Sequence, residues 1–239
     1  MDEFSRTRLL IGEAAVSKLQ NSSVLLFGVG GVGGYVAEAL ARSGVGSIAL
    51  VDNDKVSLTN LNRQIIALHS TIDRYKTEVM RERILDINPK ANVEIYNCFF
   101  LPENADQFDF KKYDYVVDAV DTVTAKIEII MQAEYAGIPV ISAMGAGNKV
   151  NVTGFQIADI YQTKMCPLAK VMRKELRNRG VKKLKVVYSI EPALQPKVSE
   201  ADMEQTSKRM IPGSIAYVPS VAGLMLAGEV IKDLIGYKG

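Results

Sequence analysis

A doubly wound α/β fold with a mostly parallel sheet is predicted by three features of this 239-residue chain. Short apolar runs alternate with helical patterns through the first two-thirds. A glycine-rich turn joins the first apolar run to the first helix. A carboxylate follows about 20 residues later, at the end of the second run. Strands separated by helices imply parallel pairing, because parallel neighbours need a crossover connection, and a sheet covered on both faces.

Taken in order, Val24–Phe27 reads as a short buried strand, followed by the glycine turn and a helix over Tyr35–Arg42 that Gly44 ends. Ser47–Val51 is a second strand. Glu78–Ile87 carries apolar residues at helical spacing and stops at Asn88-Pro89, since a residue before proline disfavours the helical region. Val93–Tyr96 alternates as a strand and Tyr113–Val117 is a buried one. Ala125–Tyr135 reads as a helix ended by Gly137, and Ile138–Ser142 as a strand. From Lys149 the rhythm changes. Val150–Ile160 and Lys185–Ile190 read as antiparallel additions, and Cys166–Arg179 as a polar, basic helix. No linker, repeat or low-complexity segment interrupts the chain. The expectation is one domain over residues 1–239, Rossmann-like over 1–148, with a C-terminal elaboration over 149–239.

Composition narrows the chemistry. Hydrophobic residues make up 48% and charged ones 23%, enough for a core without staples. Two cysteines, Cys98 and Cys166, are too few for a disulfide framework or a four-cysteine zinc site. A single histidine, His69, excludes mechanisms needing two, and it reads as structural. The apolar stretch Ser214–Gly228 falls short of the roughly 20 residues that span a bilayer. It reads as a buried or dimer-interface helix, so no integral membrane segment is expected. The start, MDEFSRTRLL, lacks the pattern of a secretory leader, and unpaired cysteines suit a reducing cytoplasm.

The turn Gly28-Val29-Gly30-Gly31-Val32-Gly33 fits G-x-G-x-x-G between a strand and a helix. Glycines there permit a tight turn and close backbone approach, and the helix N-terminus offers free N–H groups to a phosphate. Asp52 is placed to accept hydrogen bonds from a ribose. These features alone indicate a nucleotide, with NAD as the default, or a turn that merely packs helix on strand. The next stretch separates the options. Asp54 leads into Asn60-Leu61-Asn62-Arg63-Gln64, and Lys76 follows twelve residues later. Hydride transfer has little use for an Arg and a Lys there. ATP cleavage does, because charge builds on the phosphates as pyrophosphate leaves. Asp121 lies just past the strand Tyr113–Val117, where a carboxylate can hold Mg2+ against phosphates.

Gly28–Gly33, Asp52, Asn60–Gln64, Lys76 and Asp121 together resemble the ATP-binding pattern of ubiquitin-activating-type adenylating enzymes, a superfamily that includes enzymes of thiamine and molybdopterin biosynthesis. The resemblance runs through about residues 5–150. It implies ATP and Mg2+ as cofactors, Asp52 on the ribose, Arg63 and Lys76 on the phosphates and Asp121 on the metal. It also implies a homodimer in which an N-terminal arginine, Arg8 or else Arg6, reaches the partner subunit's ATP.

Within the superfamily, branches that activate a ubiquitin-like sulfur carrier usually carry paired CxxC zinc motifs. None exists here, so no zinc is expected. Cys98 reads as a structural thiol. Cys166, in Lys164-Met165-Cys166-Pro167, heads the basic helix, where helix amides and lysines favour a thiolate. Cys166-Pro167-Leu168-Ala169, Ser189-Ile190-Glu191-Pro192-Ala193 and the Pro212–Gly228 region resemble the tRNA threonylcarbamoyladenosine dehydratase group, in which the residue before Pro-Leu need not be Cys. That resemblance implies a modified tRNA as substrate. Adenylation of a sulfur carrier's C-terminus is the alternative, and a sulfur-transfer protein stays open as a partner.

Charge mapping adds an independent observation. Net charge is only +2, yet residues 170–185 hold eight basic side chains against one acid, Glu175. Lys170, Arg173, Lys174, Arg177, Arg179, Lys182 and Lys183 are the candidate nucleic-acid contacts. A solvated helix face, or a surface for an acidic carrier, would have the same composition. Glu191 is a further candidate for touching substrate.

Overall fold

The computed structural model describes residues 1–195 and 212–237. Seven strands form one sheet: β1 (Ser23–Phe27), β2 (Ser47–Val51), β3 (Asn92–Tyr96), β4 (Tyr115–Asp118), β5 (Val140–Ala143), β6 (Phe155–Asp159) and β7 (Lys185–Ser189). Their order is β3-β2-β1-β4-β5-β7-β6. All pairings are parallel except β6 with β7. The order reverses between β1 and β4, which makes the crevice beyond Phe27 and Asp118 the topological switch point.

Both faces are covered, as the apolar runs require. Val24, Leu26, Ile48, Leu50, Tyr115 and Val117 point into one core with α3 (Gly33–Arg42), α4 (Lys76–Ile87) and the C-terminal helix Tyr217–Ile235. The alternate residues Leu25, Phe27, Ala49, Val51 and Val116 meet α5 (Val123–Ala136) and a group of aromatics, Phe100, Phe108 and Phe110. Further along that face, α6 (Pro167–Asn178) lays Ala169, Met172 and Leu176 on β7 and α5. Burial on both faces is why β1, β2, β4 and β5 read as continuous apolar runs, whereas the edge strands β3 and β6 carry exposed polar residues.

The expected elements appear within a few residues of their sequence boundaries, with three differences. Lys185–Ser189 is antiparallel to β6 but also parallel to β5, so only β6 is an antiparallel addition. Apolar content identifies a strand; its direction is set by where the preceding connection returns the chain. Two N-terminal helices, α1 (Ser5–Ile11) and α2 (Glu13–Gln20), lie outside the elements expected from the sequence. They bury no residue and two residues respectively, which leaves little periodicity to read. Finally, the C-terminal helix runs past Glu229 and Lys232, which pair with each other one turn apart.

That helix is held by shape. A Cβ on Gly223 would lie 2.3 Å from the Val32 carbonyl oxygen, so its backbone rests on the turn ahead of α3. Val218, Ala222, Leu226, Ala227 and Val230 are buried beside it. Among the described residues, no helix is long and apolar enough to cross a membrane. Gly228 lies further along the same helix, and a Cβ there would meet nothing within 4 Å. Gly223→Ala is therefore expected to lower the urea midpoint by an amount equivalent to about 1–3 kcal/mol. Gly228→Ala is expected to raise it by about 0.5–1 kcal/mol, because a helical glycine costs backbone entropy.

Candidate active site

The switch-point crevice opens into a cleft of about 580 Å³. Its floor is the β1–α3 turn. Gly28 has a φ of +89°, and a Cβ there would sit 2.7 Å from the Ala119 carbonyl oxygen. A Cβ on Gly33 would meet the Gly28 oxygen at 1.8 Å. These two glycines are required for the turn to close. Gly30 and Gly31 line the cleft itself, and no side chain caps α3. An uncapped helix start behind a glycine turn presents amide hydrogens to an anion.

Asp52 follows β2 and faces this turn. Its carboxylate accepts hydrogen bonds from the Val29 amide at 2.7 Å and the Asp54 amide at 2.8 Å. Burial pushes the Asp52 carboxyl above its ordinary value of 3.8, against the pull of Lys76 and of those two amides. Lys76 opens α4 and is 5% exposed, with Nζ 2.6 Å from Asp54 Oδ2. The Lys76 amide also donates to the Asp54 carbonyl, so the long connection between them returns to its own start.

That connection carries the remaining basic and amide groups. Asn60 is buried, and its side-chain oxygen accepts from the Ser57 amide at 3.1 Å. Its carbonyl receives the amides of Arg63 and Gln64, which turns both side chains together. Arg63 donates to the Thr59 carbonyl at 2.9 Å. Gln64 is 6% exposed, and its Oε1 is a buried acceptor with no partner among the described residues. On the far side, Asp121 is exposed, and among the described residues its carboxylate accepts one hydrogen bond, from the Thr122 hydroxyl at 3.4 Å.

Of the residues expected at the site, Gly28, Gly30, Gly31, Asp52 and Asp54 line the cleft, as do Asn60, Arg63, Gln64, Lys76 and Asp121. Three do not. Gly33 lies beneath the turn, and Asn62 points outward to the Ser214 carbonyl at 3.0 Å. Arg8 is on α1, ion-paired with Asp2 and Glu13. Sequence reading missed the wall made by Cys98, Phe99 and Phe100, and the rim made by Pro212, Ser214 and Pro219. It also missed Lys126, fully buried against Asp118 beneath the Asp121 loop. A lysine on the same helical stripe as Ile130 and Ala133 was the available signal.

Outside the cleft, Cys166 precedes α6 and is 3% exposed. Glu191 is engaged structurally: its carboxylate accepts from the Val150 and Asn151 amides. His69 is exposed in a single 3-10 turn, apart from the cleft lining. On the basic segment, Lys170, Lys174, Arg177, Lys182 and Lys183 are exposed. Arg173 is instead tied to Thr163, Arg179 to Glu175, and Lys185 to Asp233.

A crevice at the switch point of a doubly wound sheet, floored by a glycine turn, is the arrangement of nucleotide-binding α/β proteins. The ThiF family model matches residues 4–239, and the chain belongs to that family. It is 45% identical to the tRNA threonylcarbamoyladenosine dehydratase of Bacillus subtilis, covering 98% of this chain and 95% of that one. It superposes on crystal structures of Escherichia coli tRNA N6-threonylcarbamoyladenosine dehydratase, TcdA. The complex with AMP gives a TM-score of 0.89 and the complex with ATP 0.88, each at 33% identity over 98% of this chain and 94% of that one. The Saccharomyces cerevisiae adenylyltransferase and sulfurtransferase UBA4 is 38% identical, but over only 59% of this chain and 32% of its own length.

The Asp52 environment makes a pH-dependent prediction. A carboxyl whose folded pKa is raised contributes stability that is fully present below its unfolded pKa and is lost as pH rises through the folded one. As pH rises from 4 to 7, Asp52→Asn is therefore expected to lose less stability than the native protein. Urea midpoints measured across that range check this; parallel curves would contradict it.

Proposed function

We propose that this chain is an ATP-dependent dehydratase acting on threonylcarbamoyladenosine in tRNA. One observation carries the reading: the cleft gathers the glycine turn, Asp52, Arg63, Lys76 and Asp121 around one crevice. The near full-length similarity to dehydratases from two bacteria supports the choice of substrate. The similarity to the adenylyltransferase and sulfurtransferase UBA4 stops at 59% of the chain.

The charge balance of the cleft fits a polyphosphate bound with a cation. Three carboxylates, Asp52, Asp54 and Asp121, line it against two cations, Arg63 and Lys76. Among the described residues, no group of three or more His, Cys, Asp or Glu gathers to hold a metal. A single free carboxylate does fit Mg2+, which keeps waters and binds through one or two carboxylates plus substrate phosphates. Asp121 would hold it, and the ion would supply charge neutralisation on the phosphates.

The chemistry follows from these positions. The substrate's free carboxylate oxygen bonds to the α-phosphorus of ATP, and pyrophosphate leaves. Arg63 and Lys76 balance the charge that develops on the departing phosphates. Gln64 Oε1 offers an acceptor to a ligand N–H or O–H. The carbamoyl group of the same side chain then closes onto the activated carbonyl and AMP departs, carrying the former carboxylate oxygen. An intramolecular attack of this kind has a high effective molarity, so no enzyme thiol is required. In the homodimer we propose, Arg8 of each subunit would add a further cation to its partner's cleft. The chain acts as one domain, in the cytoplasm, with residues 149–239 elaborating the ATP-binding part.

Incubation with ATP, Mg2+ and modified tRNA is expected to remove one water mass from the modified nucleoside, read by mass spectrometry. AMP transfer to a small carrier protein with the nucleoside unchanged would overturn the reading. Asp121→Ala is expected to abolish pyrophosphate release, and Lys76→Ala to lower kcat/KM by roughly 10²–10³.

The exposed cations of α6 supply the tRNA surface. Lys170, Lys174 and Arg177 are spaced i, i+4 and i+7 and share one stripe, away from buried Ala169, Met172 and Leu176. Replacing Lys170, Lys174 and Lys182 by Ala is expected to weaken tRNA binding. The salt slope should fall by about one per residue removed, while ATP affinity stays unchanged.

A further inference from the structure

We infer that Lys126 is a positioning residue that aims the Asp121 carboxylate across the cleft. The inference rests on the adenylation reading above. Lys126 and Asp118 are both 0% exposed, so neither can touch substrate. Lys126 Nζ lies 2.9 Å from Asp118 Oδ2 and donates to the Val120 carbonyl, also at 2.9 Å. The Val120 amide donates to Asp118 Oδ1 at 3.2 Å, and Ser142 donates its hydroxyl to Oδ2. Both backbone groups of Val120 are thereby fixed by one buried ion pair. Ala119, the residue before it, donates its amide to the Phe27 carbonyl at 2.8 Å.

The clamp ends one residue before Asp121, whose own carboxylate is left exposed to the cleft. Such an arrangement fixes the backbone that carries a ligand while leaving the ligand's oxygens available. It is also a costly place for a lysine. Burial desolvates the ammonium, and the first turn of α5 has a positive dipole end that disfavours a cation. An apolar side chain would fill the same stripe beside Ile130 and Ala133 without either cost. What it could not do is pair with the buried Asp118 carboxylate and, in the same position, donate to the Val120 carbonyl.

The paired substitution Asp118→Asn with Lys126→Met avoids leaving a lone buried charge. Calorimetry of ATP binding, with EDTA and then across a Mg2+ series, separates loop aim from general damage. In the folded double variant, affinity with EDTA should stay within twofold of the native value. The Mg2+ concentration that half-maximally tightens ATP binding should rise at least tenfold, toward that of Asp121→Ala. An unchanged Mg2+ requirement overturns the inference, and so does an EDTA affinity that falls in parallel. Should the double variant melt below the assay temperature, Lys126→Arg keeps the charge but moves the donor. It should raise the Mg2+ requirement at least threefold, and no change there overturns the inference equally. Native protein that binds ATP with no response to Mg2+ also overturns it. Native protein that responds to Mg2+ yet removes no water from modified tRNA sinks the dehydratase reading alone.

Discussion

Everything at this site hangs on two backbone turns pressed together at the switch point. Gly33 sits under the Gly28 carbonyl and Gly28 sits against the Ala119 carbonyl, each at a separation no Cβ would allow. The turn after β1 is thus locked to the turn after β4. A third backbone closes the group, since Gly223 of the C-terminal helix rests on Val32. Three segments far apart in sequence are fixed relative to one another with no side chain between them. Side chains can repack, whereas a backbone contact has no slack. A cleft built on it holds its shape before any ligand arrives.

Charge is then distributed on that rigid base. The anionic Asp52 is spent partly on the Val29 and Asp54 amides, which holds the glycine turn in place. Lys76 is balanced by Asp54, so the resting site carries no isolated buried cation there. A polyphosphate entering this cleft would compete with Asp54 for Lys76. The attraction need not be large to matter, because Asp54 is more than half exposed and a solvent-screened pair is weak. The geometry therefore favours exchange of an exposed carboxylate for phosphate oxygens without stripping a buried ion pair.

Much of this was legible in the sequence, for a physical reason. The glycines, Asp52 and the Asn60–Gln64 run are local in sequence and constrained by backbone geometry, so their spacing survives as a pattern. The two-sided burial of β1, β2 and β4 likewise prints as apolar runs. Lys126 was not legible as a site residue, because its partners Asp118, Val120 and Ser142 meet it only through tertiary packing. The direction of β7 was hidden for a similar reason: period-2 burial is the same in parallel and antiparallel pairings. Glu191 shows a role that the sequence likewise does not print. An acid beside a proline in an extended segment suggested substrate contact, yet its carboxylate serves two backbone amides of the neighbouring loop.

The two cysteines sharpen the chemical argument. A thioester route needs a thiolate that substrate can reach. Cys166 precedes a helix, as an activated thiol would, but it is sealed at 3% exposure among Met144, Ile160, Ala169 and Tyr188. Cys98 does line the cleft, yet burial pushes its thiol upward, away from the thiolate form. One thiol lacks access, and the other has access without activation. Neither meets both requirements of a nucleophile. A substrate that carries its own attacking group removes the need for either, and an adenylated carboxylate beside a carbamoyl nitrogen is such a substrate. The cleft therefore has to supply only a phosphate site and a fixed geometry, which are what its glycines, cations and clamped loop provide.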